Sequence, residues 1–310
     1  SPADVAGLME GDTLIFVDGV SVSTLTLNAL RDKLGGQIGD TKVLLIRRGS
    51  GEVQITVTIA EYFVPSVFQD SLDTDVAYIQ LTTFLTETGV SGGSSQEFRT
   101  ALEQTSWATY TIFDLRFNGG GLLSQAVDIA SEFLESQTPL INIKERVLNE
   151  GRNTGRIEQR VLISGEAGSA KERNFMVLIN NFTASASELL VSALRSNRSD
   201  IKTVGETTFG KARAQILSET PESGLVKVTK MTIEPIVGVS YDLEGIAPDI
   251  PIAPGEDALE VALQQVKGTL LSKSSAQTRA LRRIRALHRM QEDRSFKPLN
   301  ITYDRLPSSL

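Results

Sequence analysis

Short apolar runs alternate with longer amphipathic segments through the middle of this chain, from about residue 76 to residue 195. The short runs are rich in β-branched and aromatic residues, which predicts strands, and the longer segments repeat their apolar residues at helical spacing. Such an alternation is typical of an α/β domain. The predicted strands cover residues 76–82, 110–115 and 175–179, and the predicted helices cover residues 94–104, 123–134 and 184–195.

The first part of the chain, up to about residue 60, follows a different pattern. A strand and turn over residues 12–19 precede a predicted helix over residues 25–34. Two further strands, over residues 42–47 and 53–58, are separated by the turn Arg48-Gly-Ser-Gly51 and predict a hairpin. These elements predict a small β-rich module.

Two other segments differ from both modules. Residues 141–173 are polar with repeated Gly, Glu and Arg, which indicates an excursion or a strand pair outside the core. Residues 272–294 predict a basic helix. The apolar positions of that helix are Leu281, Ile284, Leu287 and Met290. His288 lies in the same helix, where we expect it on the surface.

Composition excludes several classes of protein. The chain has 310 residues, a formal net charge of −7, one histidine and no cysteine. Acidic residues spread along the chain argue against a nucleic-acid surface, and the lack of cysteine excludes thiol nucleophiles, thiolate metal sites and disulfides. A Ser-His-Asp hydrolase would have to use His288, and a two-histidine metal site is excluded. No apolar run approaches the ~20 residues of a membrane span.

The segment Asn180-Asn-Phe-Thr-Ala-Ser185-Ala-Ser-Glu188 places a serine where an apolar strand gives way to a helix. Backbone N–H groups at a helix start lack intrahelical partners, and the helix dipole favours negative charge there, which suits an alkoxide and a tetrahedral oxyanion. Ser185 and Glu188 also have the spacing of a capping box, which stabilises a helix start without any catalytic role. This segment alone leaves both interpretations open.

Lys211 ends the string Gly205-Glu-Thr-Thr-Phe-Gly210-Lys211, a predicted turn before a modestly apolar stretch. A lysine acts as a base only when it is neutral, which requires burial and no carboxylate that holds its proton. Gln215, four residues later, carries no charge and is suited to orienting the amine. The alternative is that Lys211 is a solvated turn residue.

A third segment, Asp114-Leu-Arg-Phe-Asn118-Gly-Gly-Gly121, is predicted to leave a strand and lead into a helix. Glycines let the backbone approach a reacting carbonyl and point N–H groups at its oxygen. A phosphate-binding loop is the competing interpretation, but the sequence has neither a following Lys-Ser/Thr pair nor G-x-G-x-x-G. The segment therefore favours an oxyanion hole.

Together these segments resemble the C-terminal processing peptidases, also called tail-specific proteases. The matching strings are T-A-S-A-S-E around Ser185, G-E-x-T-F-G-K ending at Lys211, and D-L-R-x-N-x-G-G from Asp114. The opening S-P-A-x-x-A-G-L-x-x-G-D resembles the second half of a PDZ domain, and the strings from Tyr78 and from Gly245 also resemble family strings. Two positions depart from the family: it often has proline where this chain has Gly119, and usually glycine where this chain has Ala212.

The resemblance implies a serine endopeptidase that cleaves unfolded or C-terminal polypeptide segments through an acyl-enzyme. In that family pattern Ser185 is the nucleophile, Lys211 is the general base, and Gln215 orients the lysine. The backbone N–H groups of Ala186 and Gly120 form the oxyanion hole, with Gly121 the alternative to Gly120. Neither a metal nor an organic cofactor is implied, and the partners are polypeptide substrates.

The resemblance also implies an architecture. We expect a partial, N-terminally truncated, β-rich PDZ-like module over residues 1–61. It precedes an α/β (α+β) protease core with a mixed sheet, over residues 62–268, that resembles the ClpP/crotonase superfamily. A basic helix and an irregular tail follow over residues 269–310, and this helix is a candidate for homo-oligomer formation or, alternatively, a packing helix.

Family resemblance further favours an exported enzyme, periplasmic or associated with the cell envelope. Two other functional classes stay open at this point. One is a catalytically silent PDZ-type peptide-binding protein. The other is a crotonase-like acyl-CoA enzyme, against which the set of Ser185, Lys211 and Gln215 argues.

Overall fold

The computed structural model describes residues 1–9, 11–89, 91–149, 152–219, 225–267 and 284. The chain divides into two compact units, Ser1–Val64 and Pro65–Leu310. Each unit has a hydrophobic core of its own. The division falls three residues after the boundary that the sequence analysis places between residues 61 and 62.

The first unit is a four-stranded antiparallel sheet with short helices. Its elements are α1 (Pro2–Val5), β1 (Thr13–Val17), β2 (Val20–Ser21), a 3₁₀ turn (Val22–Thr24), α2 (Leu27–Leu34), β3 (Thr41–Arg48) and β4 (Gly51–Thr58). The strand order is β2-β1-β3-β4, and β3 and β4 form the predicted hairpin. Alternate strand residues face the core, which contains Val17, Leu44, Ile46 and Ile55.

An ion pair ties the opening string of this unit to its hairpin. The Arg48 guanidinium donates to both carboxylate oxygens of Asp12, at 2.8 and 2.7 Å, and to the carbonyl of Gly7 at 2.8 Å. These hydrogen bonds lower the pKa of Asp12 to about 2. The first strand and the hairpin are therefore held together by a charged contact as well as by the core.

Up to residue 267, the described part of the second unit contains two sheets and four helices. Its elements are β5 (Val67–Ser71), β6 (Val76–Leu81), α3 (Gly93–Gln104), β7 (Tyr110–Asp114), α4 (Leu123–Ser131), β8 (Pro139–Asn149), β9 (Arg152–Ile163), β10 (Asn174–Ile179), α5 (Ala186–Asn197), β11 (Lys202–Gly205), β12 (Arg213–Glu219), β13 (Leu225–Pro235), β14 (Ile250–Pro251) and α6 (Ala258–Lys267). The predicted strands are confirmed to within a single residue at their ends. The predicted helices are also present, although α4 ends earlier than residue 134.

The six-stranded sheet forms the centre of this unit, in the order β14-β11-β10-β7-β6-β5. All neighbouring strands are parallel except the edge pair β5 and β6. Both faces are covered, which is the usual condition of a parallel sheet. Ile79, Phe113 and Val177 pack into the cluster that contains α3, α4 and α5, whereas Tyr78, Ile112 and Leu178 pack against α6.

The second sheet is antiparallel, in the order β12-β13-β8-β9. The strand pair expected between residues 141 and 173 is confirmed as β8 and β9. The expectation that it lies outside the core is wrong for the start of β8, because Leu140, Ile141 and Ile143 are buried in the main cluster. These residues interrupt an otherwise polar segment, and three apolar side chains suffice to anchor a strand.

Most of the predicted basic helix, including His288, lies outside the described residues. The one residue of it that is described, Ile284, is helical and buried, and it belongs to the cluster that contains Leu259 and Leu263. At this position the segment packs within the unit. Among the helices of the described ranges, none combines the length and hydropathy needed to cross a bilayer.

Candidate active site

Two neighbouring parallel strands bring the predicted segments together. β7 and β10 pair in parallel register, with Asp114 opposite Leu178. Because parallel strands end at the same edge of a sheet, the segments that follow them meet there, and ligands of α/β sheets bind at that edge. The segment after β7 contains three consecutive glycines, and we call residues 117–121 the glycine loop. The segment after β10 contains Ser185.

Hydrogen bonds fasten the turn after β10 to the start of the glycine loop. The Thr183 hydroxyl donates to the carbonyl of Leu115 at 2.9 Å, and the Asn180 side chain accepts from the N–H of Phe117 at 3.0 Å. Phe117 adopts a left-handed backbone, with φ of 63°, and its ring stacks on Phe182 at 5.6 Å. The two segments therefore form one continuous layer.

A buried ion pair at the end of β7 stabilises the start of the glycine loop. Asp114 is fully buried and binds the Arg116 guanidinium at 2.7 Å, and it accepts a hydrogen bond from the Tyr78 hydroxyl at the same distance. Burial and the neighbouring Asp114 carboxylate raise the pKa of that hydroxyl. Tyr78 therefore stays protonated as a donor, and the D-L-R string serves to fix the end of β7.

Ser185 and Ser187 lie two residues apart in very different surroundings. Ser185 precedes the first residue of α5 and is partly exposed, with φ of 59° and ψ of −115°. Those dihedral angles resemble the first central position of a type II′ turn, which is normally occupied by glycine. Ser187 is fully buried, and its hydroxyl donates to the carbonyl of Asn118 at 2.9 Å. Of the two serines, only Ser185 is partly exposed.

Glu188 connects the start of α5 to the loop that carries Lys211, which we call the lysine loop (residues 206–212). The side chain of Glu188 is fully buried. Its Oε1 accepts from the Thr208 hydroxyl and the Gly210 N–H, both at 2.6 Å. Its Oε2 accepts from the N–H groups of Ser185 and Lys211, both at 2.8 Å. The backbone nitrogens of Ser185 and Lys211 are therefore no farther apart than twice that distance.

The lysine loop also rests against a second turn of the chain. Gly210 has φ of 88°, and its carbonyl accepts from the N–H of Leu243 at 2.8 Å. A side chain at residue 210 would lie 2.8 Å from the backbone nitrogen of Gly245, so the two chains approach as closely as glycine permits. Lys211 itself is partly buried.

Gln215 lies on β12, four residues after Lys211. Its amide nitrogen is 3.4 Å from the hydroxyl of Thr229 on the neighbouring strand. The β12–β13 pairing shifts register between Ala214 and Gln215. This bulge interrupts the regular alternation of side chains near the start of β12, just after the lysine loop.

The glycine loop touches Ser185 through Gly120. A Cβ at residue 120 would lie 2.8 Å from the Cβ of Ser185 and 3.0 Å from the nitrogen of Ala186. The N–H of Gly120 donates to Oδ1 of Asn118 at 2.9 Å. The N–H groups of Ala186 and Gly121 have no acceptor in the part of the chain that the structure describes. Two unengaged backbone donors therefore lie beside the serine.

The structure brings Ser185, Lys211, Ala186 and the glycine loop together, and it places Gln215 on the adjoining strand. Sequence patterns did not reveal that Glu188 holds the lysine loop as well as the start of α5. The S-x-x-E spacing indicated a capping contact, but the partners Thr208 and Gly210 are distant along the chain. The one sequence signal that could have indicated such a role is a glutamate directly before the apolar run Leu189-Leu190-Val191 of α5, where a charged side chain is rarely buried without partners.

Residues 75–252, more than half of the chain, match peptidase family S41. The carboxy-terminal processing protease CtpA of Bacillus subtilis is 29% identical over 257 residues, which are 81% of this chain and 51% of that protein. The carboxyl-terminal-processing protease of Synechocystis sp. is 32% identical over 257 residues, which are 80% of this chain and 56% of that protein. The chain spans about half the length of the curated relatives that it matches.

A solved structure from Bacteroides fragilis, described as that of an S41 protease, superposes with a TM-score of 0.57. The superposition covers 86% of this chain and 76% of that one at 18% identity, so this likeness concerns the fold alone. The arrangement of mixed α/β sheets is that of the S41 peptidases. From the match over residues 75–252, the chain belongs to peptidase family S41.

Proposed function

We propose that this chain carries the peptidase activity of a serine-type C-terminal processing protease, with Ser185 as nucleophile and Lys211 as general base. The observation that carries the proposal is the shared oxygen of Glu188, which holds the backbone of both residues at 2.8 Å. The names of the Bacillus and Synechocystis relatives support the same reaction class.

In the proposed reaction the neutral Lys211 amine takes the proton of the Ser185 hydroxyl as the oxygen attacks the peptide carbonyl. Ala186 and Gly121 donate their N–H groups to the resulting oxyanion, and each such donor contributes about 10²- to 10³-fold in rate. The N–H of Gly120 becomes a donor only if its hydrogen bond to Asn118 breaks. Lysine then protonates the leaving amine, and water repeats the sequence to release the acyl group.

Gln215 is proposed to orient the Lys211 amine. Support comes from its position on β12, which begins two residues after Lys211, and from its lack of charge. A neutral amide can accept a hydrogen bond from the amine without raising the pKa of the lysine as a carboxylate would. The base would therefore be held in place and remain free to lose its proton.

The first unit is proposed to be a PDZ-like module that presents extended polypeptide to the peptidase. The second unit is proposed to share the fold of the ClpP/crotonase superfamily. The sheet of the first unit has β2 and β4 at its edges, and an exposed edge strand can pair with a peptide. In this division the module covers residues 1–61, the protease core residues 62–268, and the C-terminal segment residues 269–310.

The names of the relatives support C-terminal polypeptide as the substrate class. From the family resemblance we also propose unfolded segments as substrates and an exported, periplasmic or envelope-associated location. We also propose a homo-oligomer through the C-terminal helix, in which Ile284 would not take part because it packs within its own unit.

Labelling with a fluorophosphonate probe tests the nucleophile. We expect the probe on Ser185, located by mass spectrometry of the digested protein, and no label on Ser185→Ala. Casein cleavage should be lost in the same variant. A Ser185→Ala protein that still cleaves casein would contradict the proposal, and a chain that neither labels nor cleaves would favour the silent peptide-binding protein.

Lys211→Arg tests the base. Arginine keeps the positive charge but does not lose its proton in a protein, so labelling and cleavage should both be lost. Lys202→Arg, on an exposed position of β11, is the matched control and should behave as the unaltered chain. A Lys211→Arg protein that labels at the unaltered rate would limit Lys211 to a structural role.

A further inference from the structure

One side of the second sheet ends in β9, whose outer side is open. Among the strands of the described ranges, only β8 pairs with β9. That pairing is continuous from Ile157 to Leu162, after a register shift that precedes Ile157. All residues from 155 to 161 are exposed. We call residues 157–161 the open edge, because an edge strand presents outward N–H and C=O groups to which another strand can bind.

Two aliphatic side chains of the open edge lie in water. Leu162 packs against the main core cluster, so the odd-numbered residues of β9 point away from that cluster. Ile157 exposes 58% of its surface and Val161 exposes 48%. Natural edge strands are usually protected by charges, proline or bulges, and a regular edge with exposed aliphatic side chains favours pairing with another strand.

A second copy of β9 can pair with the open edge in only a few registers. In a two-fold dimer both copies use the same residues, and the two strands are antiparallel. The backbone groups of such a strand point alternately to its two sides, so an odd-numbered residue lies opposite another odd-numbered residue in a regular pair. The two-fold axis must therefore pass beside a residue and not between two residues.

An axis at Gln159 gives complementary contacts on both faces of the paired strands. On one face, Ile157 lies opposite Val161 of the second copy. On the other face, Glu158 lies opposite Arg160 of the second copy. Symmetry repeats each contact, and both aliphatic pairs and opposite charges stabilise neighbouring strands.

The other possible axes lose this match. An axis at Glu158 places Arg156 opposite Arg160, and like charges directly opposite each other are destabilising. An axis at Arg160 places Glu158 opposite Leu162. An axis at either end of the open edge carries part of the pairing past the register shift or past the end of β9 at residue 163. Only the axis at Gln159 matches charge with opposite charge and aliphatic with aliphatic.

We infer that the open edge binds the open edge of a second copy of this chain, as a two-fold antiparallel pair centred at Gln159. The self-complementary charges favour a second copy over an unrelated polypeptide. Because each strand contributes few residues, the interface is smaller than the about 1,200–2,000 Å² of stable complexes, so the dimer should dissociate on dilution. This surface differs from the C-terminal helix, and the inference does not depend on the proposed peptidase function.

Sedimentation velocity of the full chain, from micromolar to submillimolar concentration, tests the pairing. The average mass of the unaltered chain should double over this range. Glu158→Arg places arginine opposite Arg160 twice in each dimer, so the dissociation constant should rise at least about tenfold. The exchange Glu158→Arg/Arg160→Glu restores the opposite charges and should return the constant to within about threefold of its original value.

Glu52→Arg is the matched control for the charge reversal. Glu52 is an exposed residue of another edge strand, β4, and lies 3.6 Å from Arg47, much as Glu158 lies 2.8 Å from Arg156. The dissociation constant of this variant should stay within about threefold of the original value.

Disulfide formation tests the position of the axis. The chain has no cysteine, so an introduced one is its only thiol. In Gln159→Cys the two copies of residue 159 lie directly opposite each other, about 4.5–5.5 Å apart at Cα, which a disulfide can span. Oxidation should therefore give a covalent dimer. In the control Ile163→Cys the two copies lie about 27 Å apart, because eight residues of strand separate them, and no covalent dimer should form.

Three results would each overturn the inference. The first is an unaltered chain that stays monomeric at every concentration. The second is a dimer that survives Glu158→Arg, since another surface such as the C-terminal helix would then hold it. The third is equal cross-linking of Gln159→Cys and Ile163→Cys, or a charge exchange that fails to restore the dimer, because the register would then be wrong.

Discussion

The two loops that meet at Ser185 are held by different kinds of contact. The lysine loop depends on a buried charge, because Gly210 and Lys211 donate their N–H groups to the carboxylate of Glu188. The glycine loop depends on neutral groups and on close backbone approach, through Asn118 and Gly120. One side chain, that of Glu188, therefore determines the position of the lysine loop. The position of the glycine loop is instead determined by close packing and hydrogen bonds of several residues.

Glu188→Gln should have the largest effect. An amide offers one acceptor oxygen, so at least one pair of donors now held by the carboxylate would face its NH₂ group. Each buried donor left without a partner costs about 1–3 kcal/mol, so we expect the free energy of unfolding to fall by about 3 kcal/mol. Because both Ser185 and Lys211 lose their common anchor, kcat/KM for a casein-derived peptide should fall more than about a hundredfold.

Glu132→Gln is the matched control for this comparison. Glu132 is also buried, and its carboxylate binds Arg99 and the N–H of Ser169, away from Ser185. Chemical denaturation should show a loss of stability for both variants, but kcat/KM should remain within about threefold for Glu132→Gln. Equal losses of activity in the two variants would show that Glu188 acts only through global stability.

Gly120→Ala should have the next largest effect, through shape. The new Cβ would lie 2.8 Å from both the carbonyl oxygen of Ala184 and the Cβ of Ser185, and the backbone φ of 101° is unfavourable for alanine. We expect kcat/KM to fall about a hundredfold, because displacement of a donor or of the nucleophile by about 1 Å has that order of effect.

Gly119→Ala is the control within the same loop. A Cβ at residue 119 meets nothing within 4 Å, and the backbone there is not left-handed. Its kcat/KM should stay within about threefold of the unaltered value. Similar losses at both glycines would indicate that the loop depends on flexibility rather than on close approach.

Ser187→Ala should have the smallest effect. It removes the hydrogen bond between the Ser187 hydroxyl and the carbonyl of Asn118, a contact worth about 1 kcal/mol, between α5 and the glycine loop. The fluorophosphonate probe should still label Ser185, and kcat/KM should fall by less than about tenfold.

Ser131→Ala is the control for that variant. The Ser131 hydroxyl is also buried; it donates to the carbonyl of Val127 at 2.8 Å and accepts from the N–H of Gly165 at 2.9 Å, far along the chain from the candidate site. Thermal melting should show a loss of stability at least as large as that of Ser187→Ala, because two hydrogen bonds are removed, with no change in labelling. If Ser187→Ala abolished labelling, the choice of Ser185 as nucleophile would be wrong.

Local patterns predicted the parts of the fold that local physics determines. Three strands of the central sheet, β6, β7 and β10, were predicted because their apolar runs are continuous, whereas β5, β11 and β14 were not predicted. Ser185 was placed at a helix start because the cap spacing is a property of neighbouring residues. The two serines of the string were distinguished by resemblance, and burial of Ser187 agrees with that choice.

Contacts between distant parts of the chain were beyond such patterns. The second sheet was missed in part because β12 and β13 depend on pairing with each other rather than on a strong alternation of their own. The role of Glu188 was missed because its partners at residues 208–211 reach it only after β10, α5 and β11 have packed. Tertiary structure, rather than propensity, decides both features.

The backbone angles of Ser185 impose a conflict between stability and reactivity. A residue with a side chain in this conformation costs about 1–3 kcal/mol relative to an unstrained position, and glycine would relieve most of that strain. A chain freed from the need to react would thus gain stability by replacing its serine with glycine. Ser185, the proposed nucleophile, is therefore a residue at which replacement by glycine would stabilise the protein and would also end its proposed activity.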